Sequence, residues 1–178
     1  MSEHLHEVKF AFRDGRPDDL MDIVALLLHL GYPCPSRELE PVYRALLEDV
    51  HYRCILALAP PDDAVAGMVT FRTLPVLRLA GLQTTIEELV VLPEWRGSGL
   101  GRALVNLALE VAGNKGAVRL EVLTGEHRES TRRLFYEKAG LQRAWSRVYR
   151  LDLANGKNDP SNLDVRSGEP QALSEEWA

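Results

Sequence analysis

The sequence predicts a single α/β domain of six to seven strands flanked by about four helices. Three observations carry that expectation. The chain has 178 residues, 46% of them hydrophobic and 26% charged, enough for one domain with a real core and too few to promise two. Strand-like alternation and helix-like spacing succeed one another in the order strand, two helices, three strands, helix, strand, helix, final strands. Near the middle, an apolar strand runs through a turn with three glycines into a long apolar-periodic helix.

Residues 8–13, VKFAFR, alternate apolar with polar or small side chains, as an edge-type first strand does. RPDDLMDIVALLLHLGY then places Pro17 at a first helical position with Asp18 and Asp19 in the first turn, where the helix dipole favours carboxylates. Gly31 ends this helix, PCPS makes a rigid connection, and Ser36 is expected to cap a second helix over about 37–49. CILALA and AVAGMVTFRT, joined by the turn-type PPDD, read as a hairpin. Residues 81–92 continue as a strand whose end, IEELVVL, is continuously apolar after two acids, the pattern of a strand covered on both faces.

From Leu100 the apolar positions Leu100, Ala103, Leu104, Leu107, Ala108, Val111 and Ala112 follow a helical period until GNKG. VRLEVLT alternates as a strand, a short helix is expected over about 130–139 before Gly140, and LQRAWSRVYRLDL supplies one or two final strands. The domain is therefore expected over 1–153. Residues 154–178 turn polar and are expected to form a tail that is flexible or packs on a partner.

Composition narrows the function classes. A net charge of −5 argues against broad affinity for nucleic acid and is compatible with a cationic substrate. The chain lacks the roughly 18 unbroken apolar residues of a membrane span. MSEHLHEVKF has neither the basic start nor the apolar core of a signal peptide, so a cytoplasmic protein without a membrane partner is expected. Cys34 and Cys54 are too few for a disulfide framework, the histidines lack ligand spacing, and no metal is expected. The sequence leaves a homodimer open.

Glycine is poor in strands and helices, so PEWRGSGLGRAL requires bare backbone at Gly97, Gly99 and Gly101. A helix start offers unpaired N–H groups and positive dipole, and glycine lets phosphate oxygens approach them. A Walker loop ends in Gly-Lys-Ser/Thr, whereas Gly101 is followed by Arg102 and Ala103. A dinucleotide fingerprint spaces its glycines G-x-G-x-x-G near the start of a βαβ unit, whereas here they run G-x-G-x-G after a hairpin.

RGSGLG, residues 96–101, fits R/Q-x-x-G-x-G. With IEELVVLPEW ahead of it and RRLFYEKAGL behind, the chain resembles the GCN5-related N-acetyltransferase (GNAT) superfamily. The resemblance covers the element order over about 8–153 and is most specific over 86–141. It implies a mixed, mostly antiparallel sheet, acetyl-CoA as acetyl donor, an amine-bearing acceptor and no metal. Arg96, Gly97, Ser98, Gly99, Leu100, Gly101 and Arg102 would form the loop whose backbone N–H groups hold the pyrophosphate. Leu89, Val90 and Val91 would pair with the pantetheine arm as though it were an added strand, and the N–H of Val90 or Val91 would face the thioester oxygen.

Acetyl transfer needs a neutral amine, yet an alkylamine with a pKa of about 10.4 is mostly charged at neutral pH, so a carboxylate base is useful. Glu87 and Glu88 stand at the start of the apolar strand, and simple alternation sends them to opposite faces. The resemblance favours Glu87 as base, with Glu88 in reserve. Tyr136 lies off the apolar side that Leu134, Phe135 and Ala139 define, and the resemblance places it beside the CoA sulfur, where its hydroxyl would protonate the leaving thiolate.

The chain departs from the family pattern at Glu129 and Arg132, where many relatives carry Asn and Ala. Arg128, Arg132 and Arg133 are alternative partners for the CoA phosphates. The acceptor site is expected from GYPCPS, the surroundings of Glu87 and the final strands. A likeness to acetyltransferases of aminoalkylphosphonates lies in the cofactor half and does not choose the acceptor. The first reading is direct acetyl transfer to a primary amine in a ternary complex. The second is a catalytically inactive acyl-CoA-binding sensor module, and a partner-binding tail is compatible with either.

Overall fold

A computed structural model describes residues 10–125 and 128–149. Five strands form one sheet in the order β1 (Ala11–Asp14), β2 (Tyr52–Ala59), β3 (Ala64–Val76), β4 (Gly81–Val91) and β5 (Ala117–Val122). Neighbours from β1 to β4 are antiparallel, and β5 joins β4 in parallel. The parallel step uses helix α3 (Leu100–Asn114) as its crossover. Helices α1 (Leu20–Leu30) and α2 (Ser36–Glu48) lie between β1 and β2 in sequence, and two short helices, α4 (Glu129–Arg132) and α5 (Phe135–Lys138), follow β5. No helix among the described residues is long and apolar enough to cross a membrane.

The two-residue period of the strands divides the core between two faces. Ile55, Ala57 and Ala59 of β2 join Val69, Phe71 and Ile86 beneath α3, whose Leu100, Leu104, Val105 and Ala108 are buried there. Cys54 and Leu56 of the same strand face the other way, with Met68 and Val90, and meet Ile23 and Leu26 of α1 and Tyr43 of α2. The helical period read from the sequence marks the buried side of α3 and misses only Val105, which is fully buried.

The turn from β1 into α1 is fixed by charge. Asp19, 6% exposed, takes two hydrogen bonds from the Arg13 guanidinium at 2.7 Å each and a third from the Arg16 amide at 2.6 Å. The Arg13 bonds hold its carboxyl below the usual carboxylate range despite burial. Asp19 thus acts outside the helix proper: residues Pro17–Asp19 form a 3-10 turn, and α1 begins at Leu20.

Several expectations are corrected. The sheet has five strands among the described residues, where six to seven were expected. Alternation of apolar and polar side chains marks an extended backbone, but a strand also needs a ladder. Residues 143–149 have none and are exposed throughout. Residues 150–153 of the expected last strand and the tail over 154–178 lie outside the described residues, as do Val8 and Lys9 of the first strand. The single helix expected over 130–139 is two, because Leu134 between them takes a left-handed φ of 53°. The second helix starts at Ser36 with Pro35 at its cap position and no side-chain cap, so Ser36 is inside the helix.

One glycine in β3 sets how closely β3 and β4 approach. A Cβ on Gly67 would lie 2.7 Å from the carbonyl oxygen of Val90, a backbone atom that cannot swing aside. Gly67→Ala is expected to cost about 1–3 kcal/mol, the range for overpacking. That corresponds to a drop in melting temperature of roughly 2–12 °C for a domain of this size, readable by thermal denaturation.

Candidate active site

The open edge of β4 is the frame of the site. Pairing with β5 runs from Leu82 to Ile86 and stops there, whereas pairing with β3 continues to Val91. From Glu87 onward one edge of β4 therefore lacks a strand neighbour among the described residues. The direction of its amides follows from two hydrogen bonds toward β3. Glu88 N–H donates to the Thr70 hydroxyl at 3.0 Å, and Leu92 N–H donates to the Ala66 carbonyl at 2.9 Å. By alternation the Val90 amide also faces β3, and the amides of Leu89 and Val91 face the open edge. Of the two N–H groups singled out from the sequence for the thioester oxygen, Val91 points to the open side and Val90 does not.

β4 leads through a 3-10 turn, Pro93–Trp95, into the glycine loop. Gly97 and Gly99 have φ of +81° and +88°, a left-handed conformation that side chains with a Cβ adopt at a cost of about 1–2 kcal/mol. Gly99 is the cap residue of α3, and a Cβ at either position would meet nothing within 4 Å, so both glycines face open space at the helix start. Ser98 folds inward, its hydroxyl donating to the Trp95 carbonyl at 2.7 Å and accepting from Leu100 N–H at 3.4 Å. Arg96 is turned back on the strand, its Nε donating to the Val91 carbonyl at 3.1 Å.

Gly101 has a different reason. A Cβ there would lie 3.3 Å from two ring carbons of Phe135. The third glycine of the motif lets Phe135 seat against the first turn of α3 and so fixes where the next residue, Tyr136, stands. Tyr136 is half-buried, its ring edge-on to Phe135 at 5.0 Å. Thr124, just past the end of β5, and Ser130 are the polar side chains that favour the ionised form of its hydroxyl. Burial raises its pKa above the ordinary tyrosine value, and the Thr124 hydrogen bond restrains the rise.

The two acids do not alternate to opposite faces as simple strand geometry requires. Thr70 stands opposite Glu88 and Phe71 opposite Ile86, which leaves Glu87 as the extra residue of a β-bulge. The bulge brings both carboxylates to the lining of one cavity of about 530 Å³, whose other walls are Leu27, Leu39 and the 31–34 segment. Glu88 is the more enclosed: its carboxylate accepts a hydrogen bond from the Thr70 hydroxyl, and burial raises its pKa above the ordinary value. The carboxylate of Glu87 is 4.0 Å from Arg72, which also lies 3.7 Å from Asp49 and 5.8 Å from the centre of the Tyr52 ring.

Glu87 and Glu88 thus share one lining with Gly31, Tyr32, Pro33 and Cys34 of GYPCPS, but nothing in the sequence signals Thr70 or Arg72. Both lie in β3, reached only through cross-strand register. Arg128 ties the 31–34 segment to the region after β5, donating to the Leu30 carbonyl at 3.0 Å with its guanidinium 5.3 Å from the centre of the Tyr32 ring. The side chains of Glu129 and Arg132 lie outside the described residues. Cys54 is buried between Tyr43 and the sheet, and burial pushes its thiol up to about 12, so it stays protonated. Cys34, in contrast, lines the cavity.

Residues 20–141 match the acetyltransferase (GNAT) family model. Over 137 residues the chain is 31% identical to a glucosamine 6-phosphate N-acetyltransferase of Trypanosoma brucei brucei, covering 74% of this chain and 90% of that protein. It is 35% identical over 96 residues to an aminoalkylphosphonate N-acetyltransferase of Salmonella typhimurium, covering 54% of this chain and 59% of that protein. Among solved structures, an acetyltransferase of Trypanosoma brucei aligns with a TM-score of 0.68 at 29% identity, covering 82% of this chain and 100% of the other. A glucosamine 6-phosphate N-acetyltransferase of Arabidopsis thaliana shares the fold, with a TM-score of 0.68 at 18% identity over 80% of this chain and 98% of the other.

Proposed function

With the chain a member of the acetyltransferase (GNAT) family, and so an acyltransferase, we propose that it transfers the acetyl group of acetyl-CoA directly to a primary amine within a ternary complex. The observation that carries this reading is the loss of β5 pairing after Ile86, which opens an edge of β4 running straight into the Gly97–Gly99 turn. An extended pantetheine arm would add to this edge through the Leu89 and Val91 backbone, and the pyrophosphate would meet the first-turn amides of α3. These amides have no carbonyl partner within the helix, and the dipole there favours negative charge.

In this reading Glu88 is the base. Enclosed beside Thr70 with a raised pKa, it is better matched to removing a proton from an ammonium group than a fully solvated carboxylate. The neutral amine attacks the thioester carbonyl and forms the new C–N bond, while the developing oxyanion is stabilised by the Val91 amide. The C–S bond then breaks, and the Tyr136 hydroxyl donates its proton to the departing thiolate. Remaining protons leave through the carboxylates and solvent.

The testing experiment follows thiol release from acetyl-CoA against a panel of primary amines, together with direct titration of CoA binding. Turnover with at least one amine is expected, and tight CoA binding without any turnover would favour the sensor module. Gly99→Val is expected to weaken acetyl-CoA binding by at least about tenfold, equivalent to about 1.4 kcal/mol. The fold should persist, since the added Cβ meets no neighbour within 4 Å and the left-handed φ costs only about 1–2 kcal/mol. Unchanged affinity in this variant would place the pyrophosphate elsewhere.

A further inference from the structure

The acceptor cavity has a composition that discriminates among amines. Its polar end is Glu87 and Glu88, and its walls are apolar: Leu27, Leu39, Tyr32 and Pro33. It also continues. Pro33 and Cys34 are shared with a second hollow of about 460 Å³, whose remaining walls are Val24, Leu28 and Pro35. The two hollows together present a pair of carboxylates at one end and apolar surface along the rest.

No lysine, arginine or histidine lines either hollow among the described residues. Two arginines beside the lining are engaged with other groups. Arg72 lies between Asp49, Glu87 and the Tyr52 ring, and Arg128 donates to the Leu30 carbonyl while covering the Tyr32 ring. A phosphoryl or phosphonyl group placed here would face two carboxylates and apolar side chains, with no charged donor in the described lining.

Resting on the acetyltransferase reading above, we infer that the acceptor is a primary amine on an apolar body with no anionic substituent. Its ammonium group meets Glu87 and Glu88, its body packs against Leu27, Tyr32 and Leu39, and its tail passes Pro33 and Cys34 toward Val24 and Leu28. This separates the chain from relatives named for glucosamine 6-phosphate and aminoalkylphosphonates. The mechanism of transfer is common to both kinds of acceptor.

The test compares 2-phenylethylamine and a series from butylamine to octylamine with glucosamine 6-phosphate and 2-aminoethylphosphonate. Turnover is read by thiol release, and equilibrium binding to the CoA complex is measured for each amine in parallel. The apolar amines are expected to exceed the phosphorylated and phosphonylated ones by at least about 100-fold in kcat/KM, a difference of about 2.7 kcal/mol. Affinity is expected to rise by up to about fourfold per methylene until the second hollow is filled. Tyr32→Ala should weaken phenylethylamine binding, and Arg128→Gln should leave the preference for uncharged bodies intact.

A preference for the phosphorylated or phosphonylated amine, abolished by Arg128→Gln, would overturn the inference and leave the acetyltransferase reading standing. Failure of every amine to turn over would count against that reading. The binding series still decides the acceptor class in that case: apolar amines binding the CoA complex tightly support it, and equal or absent binding across the panel overturns it.

Discussion

Tyr136→Phe is expected to lower kcat by about 10²–10⁴-fold, the usual contribution of a positioned acid, with acetyl-CoA affinity nearly unchanged. The ring is held by its edge-on contact with Phe135, which the substitution keeps, so the change removes only the hydroxyl. Burial keeps that hydroxyl protonated through the neutral range, as an acid requires. The measurement is pre-steady-state thiol release at saturating amine and acetyl-CoA. A kcat within a few-fold of wild type would make Tyr136 a wall of the pocket and leave thiolate protonation to water.

Glu88→Gln is expected to have two effects of opposite sign. As the base, Glu88 must be ionised, and its pKa is raised by burial, so the acid limb of the kcat/KM profile should lie above the ordinary value of 4.5. The variant should lose that limb and about 10²-fold in kcat, the lower end for general base catalysis because Glu87 lines the same cavity. Stability should move the other way. A carboxyl whose folded pKa is raised contributes stability that is present below its unfolded pKa and lost as pH rises through the folded value. Glutamine has no charge to bury and can still accept from Thr70, so the variant should melt above wild type near pH 8 and approach it in acid. Reduced activity with reduced melting temperature at pH 8 would instead indicate a structural carboxylate.

What was legible in the sequence depended on local period. The apolar run of β2 before the PPDD turn, the apolar end of β4 and the spacing from Leu100 to Ala112 each place their element. The glycine turn was legible for the same reason: Gly97 and Gly99 stand at backbone angles that only their spacing before a periodic helix could announce. Gly101 was not, since its neighbour Phe135 lies far along the chain. The bulge at Glu87 was also hidden, because it is a property of register between β3 and β4 and alternation assumes no bulge. Over residues 141–149 the strands expected after Gly140 do not form, because a side-chain pattern cannot say whether a ladder partner exists.

The most direct measurement of the central claim is an initial-rate matrix varying acetyl-CoA against a turned-over amine, with intact mass of the protein recorded after incubation with acetyl-CoA alone. Cys34 lines the acceptor cavity and is the described thiol that a covalent route would use. Direct transfer across the open edge of β4 predicts intersecting double-reciprocal lines, no acetylated protein, and full activity in Cys34→Ala. Parallel lines, a stoichiometric acetyl adduct on Cys34 and an inactive Cys34→Ala variant would contradict it.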